Sequence, residues 1–275
     1  MSELGTVEST LFVPMLGRIY ASENYPNILV DEKALELKRK LPDNLAGSET
    51  QTQYTYLASA SRSANMDRYI ADFLKRHADG VVVQLGCGLE TTFNRDDNGK
   101  TKWYGVDLPD VIEYRRTLLP ESEREKYIAG DAFSEDWIKQ VREEVGDVPI
   151  LVTVGGLFYY FEEEKVLELF KMLPAYGDIK MVFDTVNKSG MNMMRKKYMK
   201  QVGHEDAAMF FYVDSAEELV SKIGSGASVL AEEKYYSHID KTGLKLSTKI
   251  SMNVSDRFGM VKMICLKLWH YGEGE

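Results

Sequence analysis

The sequence predicts a doubly wound α/β fold: a mainly parallel sheet preceded by helices and ending in a strand pair with one antiparallel member. Three observations carry this prediction. From residue 80 onward, short apolar runs alternate with amphipathic segments. The runs are continuous, as strands buried on both faces must be, and strands that alternate with helices require right-handed crossovers and hence a parallel sheet. Upstream of residue 80, apolar residues recur at helical spacing instead.

Each element follows from its residues. The stretches LGRIYASENYPNILVDEKALELKRKL and SANMDRYIADFLKRH are helical, the second with Met66, Ile70, Phe73, Leu74 and His77 on one side. Strands are predicted at VVVQL (81–85), KWYGV (102–106), KYIAG (126–130), PILVTV (149–154) and IKMVFD (179–184). Helices lie between them, over 134–145 with Trp137, Ile138, Val141 and Val145 inward, and over 162–173, which opens on three acidic residues and stops at Pro174. After the capped helix DSAEELVSKIG come two strand-like runs, SVLAEEKYYS and GMVKMICLKLWH, with a polar excursion between them. No repeat or Gly/Pro/Ser-rich linker divides the chain, so residues 1–79 read as a helical extension and residues 80–275 as the α/β domain of one structural unit.

Bulk properties exclude several functions. A formal net charge of −9 opposes the phosphate backbone of a nucleic acid. The opening MSELGTVEST lacks the basic region and apolar core of a signal peptide, and the run ILVTVGGLFYYF is too short to span a bilayer. Two cysteines, Cys87 and Cys265, suit a reducing compartment and form no disulfide framework. A cytoplasmic protein with neither nucleic-acid nor membrane partners is expected, and no metal site is predicted.

Doubly wound sheets bind ligands beyond the carboxyl ends of their strands. The first such end is Gln84-Leu-Gly86-Cys-Gly88, where two glycines let the backbone approach a ligand and turn sharply into a helix. The second, Gly105-Val-Asp107-Leu108-Pro, offers a carboxylate placed to accept hydrogen bonds from ribose hydroxyls. The third, Gly130-Asp131-Ala132-Phe133, offers a carboxylate and a flat apolar wall for an adenine. Singly, each is also an ordinary turn or cap; together they indicate an adenosine cofactor. A dinucleotide would want a small residue three positions after Gly88, and Thr91 stands there, which favours S-adenosylmethionine.

The chain resembles the leucine carboxyl methyltransferase family, in particular its branch of bacterial polyketide O-methyltransferases of the tetracenomycin type. The likeness runs from about Ser9 to the C-terminus and rests on STLFVPMLGRIYAS, SRSANMD, VVVQLGCGLETTF, WYGVDLPDVIEYRR, GDAF and VGGLFYYFEEEKV. It implies a Rossmann-like, seven-stranded methyltransferase sheet with extra N-terminal helices over the site. It also implies that Arg62 binds the methionine carboxylate of S-adenosylmethionine, that Gly86 and Gly88 shape its pocket, that Asp107 holds the ribose, and that Asp131 with Ala132 meets the adenine. Gln84, Cys87, Leu108, Phe133 and Gly155 complete the expected cofactor-binding set, with Cys87 a small spacer within the turn. Two positions depart from the family: Gly155 stands where many relatives carry Glu, and Glu90-Thr91-Thr92 replaces Asp-Thr-Arg. The first is expected to leave the cofactor's ammonium short of a partner, and the second to remove a charge near the site.

An activated methyl needs positioning more than acid–base help, and no catalytic base is assigned. His77 and His270 read as structural, whereas His204 and His238 fall in segments flanking the acceptor pocket. Tyr20, Tyr159, Tyr160, Phe210, Phe211 and Tyr212 are candidate walls for a planar or greasy acceptor, with Tyr20, Tyr159, Tyr160, Phe211 and His238 taken as the pocket set. The stretch GMNMMRKKYMKQVG is either a lid that repacks around substrates or an amphipathic surface helix. The leading function is S-adenosylmethionine-dependent O-methylation of a hydroxyl or carboxylate on a small, polyketide-like molecule. The alternatives are a protein C-terminal carboxyl methyltransferase and a non-catalytic binding protein.

Overall fold

A computed structural model of the chain describes residues 7–41, 51–201 and 209–269. Seven strands form one sheet in the order β3-β2-β1-β4-β5-β7-β6: β1 Val81–Leu85, β2 Lys102–Asp107, β3 Glu125–Ala129, β4 Ile150–Val154, β5 Ile179–Val186, β6 Ala227–Lys234 and β7 Val261–Leu268. β1 to β5 are mutually parallel, and β7 runs antiparallel to both β5 and β6. The strand order reverses at β1, which lies between β2 and β4, and this switch point opens a crevice at the carboxyl ends.

Side chains alternate across the sheet and build two cores. Val81, Val83, Leu85, Val152, Met181, Phe183 and Leu266 face helices α6 (Asp136–Val145), α7 (Glu163–Met172) and α9 (Ala216–Ile223). Val82, Leu151, Val182, Met263 and Cys265 face the opposite layer, chiefly α3 (Gln53–Arg76) and α10 (Leu246–Arg257). Because both faces are covered, β1 and β4 are buried at every position, which is why they read as unbroken apolar runs. α6 places Trp137, Ile138 and Val141 inward, each contributing about 1.5–3 kcal/mol through burial. A third core joins α1 (Val7–Asn24) and α2 (Glu32–Leu37) to α5 (Pro109–Leu118) through Phe12, Met15, Ile19 and Leu118.

Three expectations change. The helix of α7 does not stop at Pro174: a 3-10 turn over Leu173–Tyr176 continues it, with Pro174 near its start where no N–H is needed, and it ends at Gly177 with φ +96°. His77 is not on the apolar face of α3; it is the exposed C-cap, its N–H donating to the Phe73 carbonyl. The polar excursion before β7 holds α10, whose Ser- and Thr-bearing sequence hides its helical period. α4 (Thr92–Asp96) and α8 (Lys188–Gln201) complete the described helices. Among the described residues no helix is long and apolar enough to cross a membrane.

Candidate functional site

The glycine turn after β1 is bolted to the end of β2. Gly86 and Gly88 take φ of +65° and +45°, which a side chain would resist. The Gly86 and Cys87 N–H groups donate to the Val106 carbonyl at 2.9 and 3.2 Å. The Gly88 N–H donates to Asp107 Oδ2 and the Leu108 N–H to Oδ1, each at 2.8 Å. Each carboxylate oxygen keeps a lone pair for a further donor. Burial raises the Asp107 carboxyl above its ordinary value, opposed by those two backbone donors. From α5, buried Arg115 donates to the Gly88 carbonyl at 2.9 Å and pairs with Glu125. Gln84 is buried one residue before the end of β1, in register with Gly105 and Thr153.

Cys87 does not offer its side chain to this crevice. The thiol packs with Ile112 and Tyr127, and a Cβ on Gly105 would lie 3.0 Å from its sulfur. Burial pushes that thiol up to about 12.

Beyond β3, Asp131 lies half exposed at the lip, accepting from the Phe133 N–H at 3.0 Å and pairing with Lys165 at 3.3 Å. The Lys165 ammonium stands over the rings of Phe133 and Phe161, which are 4.3 Å apart. Ala132 is buried and its carbonyl accepts from Trp137. Leu108, the residue before α5, is exposed on the β2 side of the same edge.

Helices ahead of the sheet are clamped onto the turn by a buried ion network. Arg18 of α1 is 1% exposed; it pairs with Asp31 at 2.9 Å and Glu90 at 3.1 Å, and donates to the Leu89 carbonyl. Arg95 of α4 binds Asp67 with two nitrogens and also reaches Asp31, Glu90 and the Thr92 hydroxyl. Burial raises the Glu90 carboxyl, but Arg18 and Arg95 outweigh it and hold Glu90 well below the usual carboxylate range. Beside Thr92 stands the Arg95 guanidinium, one turn further along the helix and already paired with Asp67, Asp31 and Glu90.

A cavity of about 830 Å³ opens on the other side of the β4 end. Tyr159, Tyr235 and Tyr236 line it, with Met193 and Met194 of α8 and a row of hydroxyls from Ser247, Ser251 and Ser255 on α10. The Ser255 hydroxyl is buried with no partner among the described residues. Arg62 and Asp184 meet there, Nη1 to Oδ2 at 3.5 Å. Asp184 also accepts from the Gly156 N–H at 2.7 Å and from the Tyr159 hydroxyl at 2.9 Å. Burial lowers the Arg62 guanidinium, but Asp184 together with Tyr235, Tyr159 and Glu90 outweighs burial and raises it above its ordinary value. Burial and then Asp184 hold the Tyr159 phenol well above its ordinary value.

The structure thus gathers Gly86, Gly88, Asp107, Leu108, Asp131 and Phe133 along one sheet edge and puts Arg62 and Gly155 beside the cavity. Of the residues expected to form the acceptor pocket, only Tyr159 lines this cavity. Tyr20 is occupied in stacking on Tyr56 at 4.9 Å. Tyr160 and Tyr212 pack against a cluster of Val186, Met191 and Met209. Phe211 is 1% exposed in the core beside Phe158, and Phe210 donates its N–H to the Tyr159 carbonyl. His238 is exposed, 3.6 Å from Glu233. His204 and His270 lie outside the described residues. Asp184, Tyr235, Tyr236 and the α10 serines went unread; the Asp at the end of IKMVFD, a strand-end carboxylate like Asp107, was the available signal.

Comparison with known proteins finds a family, a sequence relative and solved structures to which this chain is similar. The profile described as leucine carboxyl methyltransferase matches residues 17–174. Tetracenomycin polyketide synthesis O-methyltransferase TcmP of Streptomyces glaucescens is 31% identical over 185 residues, spanning 66% of this chain and 66% of that protein. The crystal structure of a DUF574 family protein from Streptomyces avermitilis aligns with a TM-score of 0.59 at 13% identity, over 92% of this chain and 97% of that one. That of a SAM-dependent methyltransferase from Anabaena variabilis aligns with a TM-score of 0.51 at 14% identity, over 76% and 86%.

Proposed function

Because the chain belongs to the leucine carboxyl methyltransferase family, we propose that it is an S-adenosylmethionine-dependent O-methyltransferase acting on a hydroxyl or carboxylate of a small, polyketide-like molecule. The observation that carries this is the adjacency of two sites: the glycine–carboxylate edge of β1 and β2, and the cavity that begins at Arg62. The residues present fit the cofactor. The left-handed glycine turn leaves room for close approach, Asp107 retains acceptor capacity on both oxygens, and Leu108 and Phe133 offer apolar surface for a base. S-adenosylmethionine, when bound, supplies a methyl group already activated by a sulfonium. Helices α1 to α3 serve as the cover, with Arg18 fastening α1 to the turn.

The chain's own part in the reaction is to position and to desolvate. Tyrosine faces and methionines suit a flat apolar body, and the α10 serine row suits oxygen substituents along one edge. Among the described residues lining the cavity there is no histidine, and the carboxylate, Asp184, is engaged by three donors. This favours an acceptor that arrives ionised or is acidic enough to ionise with a weak base. The relative's name, a polyketide synthesis O-methyltransferase, supports the same acceptor class. We further propose a cytoplasmic location, on the acidic charge and the two unpaired cysteines.

The test is a turnover screen of phenols and aromatic carboxylic acids with detection of homocysteine, alongside calorimetry with S-adenosylmethionine, S-adenosylhomocysteine and NAD. Binding of the adenosyl ligands and turnover of at least one oxygen acceptor are expected. Binding of NAD alone would overturn the assignment.

A further inference from the structure

We propose that Asp184 recognises the ammonium group of the cofactor's amino acid, so that Arg62 and Asp184 together form a subsite for a zwitterion; this rests on the cofactor assignment above. The register of the sheet gives the first argument. β4 pairs with β5 so that Val154, its last residue, stands opposite Phe183; Gly155 and Asp184 are the next residues along. The carboxylate that position 155 lacks is thus supplied one strand over, at the same height above the sheet.

The second argument is chemical complementarity. Asp184 is 4% exposed and is the acidic residue among the described residues that line the cavity. Its charge stands 3.5 Å from the Arg62 guanidinium, a spacing at which both groups can face one ligand that carries an amine and a carboxylate on the same carbon. The third is preorganisation. Gly155 and Gly156 present bare backbone beneath Arg62, and a Cβ on Gly156 would come within 2.3 Å of Arg62 Nη1. The Gly156 N–H and Tyr159 hydroxyl meanwhile hold the carboxylate still, so it need not reorganise when a cation arrives. An ammonium adds a third charged partner to this pair without displacing either backbone or tyrosine donor.

Calorimetry on the full chain separates this role from a structural one. Three ligands are titrated: S-adenosylhomocysteine, its analogue lacking the amino group, and 5′-methylthioadenosine, which lacks the whole amino acid. Asp184→Asn is expected to weaken S-adenosylhomocysteine by about tenfold or more while leaving the other two within about twofold, and Gly155→Glu in that background is expected to recover part of the loss. Equal weakening of all three, or unchanged S-adenosylhomocysteine affinity, overturns the proposal. Should Asp184→Asn not fold, the unaltered protein still decides: it must prefer S-adenosylhomocysteine over the deamino analogue, and equal affinity overturns the subsite. Absence of binding by all three ligands would remove the cofactor assignment itself.

Discussion

The Gly88 N–H donates to Asp107 Oδ2 over 2.8 Å, tying the turn after the first strand to the carboxylate that ends the second. A ligand that uses both elements therefore meets a preformed edge. Asp107→Ala removes the ribose acceptor and frees the turn together. S-adenosylhomocysteine affinity is expected to fall by at least about tenfold, roughly 1.4 kcal/mol. Calorimetry measures it, and an unchanged affinity would show that the ribose lies elsewhere.

Adjacent glycines should behave oppositely. Gly156 has φ +75° and a Cβ there would collide with Arg62, whereas a Cβ on Gly155 would meet only ordinary contacts at 3.5 Å. Gly156→Ala is expected to lose about 1–3 kcal/mol of stability from backbone strain, and cofactor affinity with it. Gly155→Ala should leave both within about 0.5 kcal/mol. Denaturant melts of the two variants provide the comparison.

Asp31 caps α2 through the Ala34 N–H and neutralises Arg18 and Arg95 while itself 0% exposed. Asp31→Ala leaves buried cations short of a partner, for which the expected cost is about 3–5 kcal/mol. Loss of protection in the α1 amides, measured by hydrogen exchange, should accompany it.

A carboxyl pair beside this network gives a pH signature. Asp96 Oδ2 is buried without a donor among the described residues, and burial followed by repulsion from Asp67 raises this carboxyl to about 8. A raised folded value means the folded state binds the proton more tightly, so stability is full below the unfolded value and declines as pH rises toward about 8. Asp96→Asn removes that penalty. Its melting temperature should exceed the unaltered protein's by about 2–4 °C per kcal/mol relieved at pH 8, with the advantage shrinking toward pH 4. A pH-independent difference would contradict the proton's place on Asp96.

Both cysteines are buried, with thiols pushed up to about 12 at Cys87 and about 11 at Cys265. The folded protein should therefore resist thiol reagents at pH 8, and labelling should track global unfolding. Rapid modification of the native state would place Cys87 in the crevice after all.

Much of the fold was legible because its signals are local. The runs VVVQL and PILVTV announce strands covered on both faces, and Gly86, Gly88, Asp107 and Asp131 mark strand ends that sheet topology must align. The hydroxyl-rich helix α10 was hidden, since its Ser and Thr positions face a cavity and carry no apolar stripe toward it. Most of the aromatic candidates other than Tyr159 pack away from the cavity, for the converse reason. Phe211 and Tyr160 have the composition of a pocket wall, but the neighbouring core and the Met191 cluster claim them.

The sequence by itself determined the succession of strands, the glycine turn, and the row of carboxylates at one edge, because backbone period and turn chemistry are written in consecutive residues. Only the tertiary structure decided that Arg62 meets Asp184, that Arg95 joins Asp67, Asp31 and Glu90 in one network, and that α3, α8 and α10 enclose a cavity. A buried charge is tolerated only beside its counter-charge, and those partners come from segments far apart in the chain. Their pairing is settled by packing, which no stretch of consecutive residues encodes.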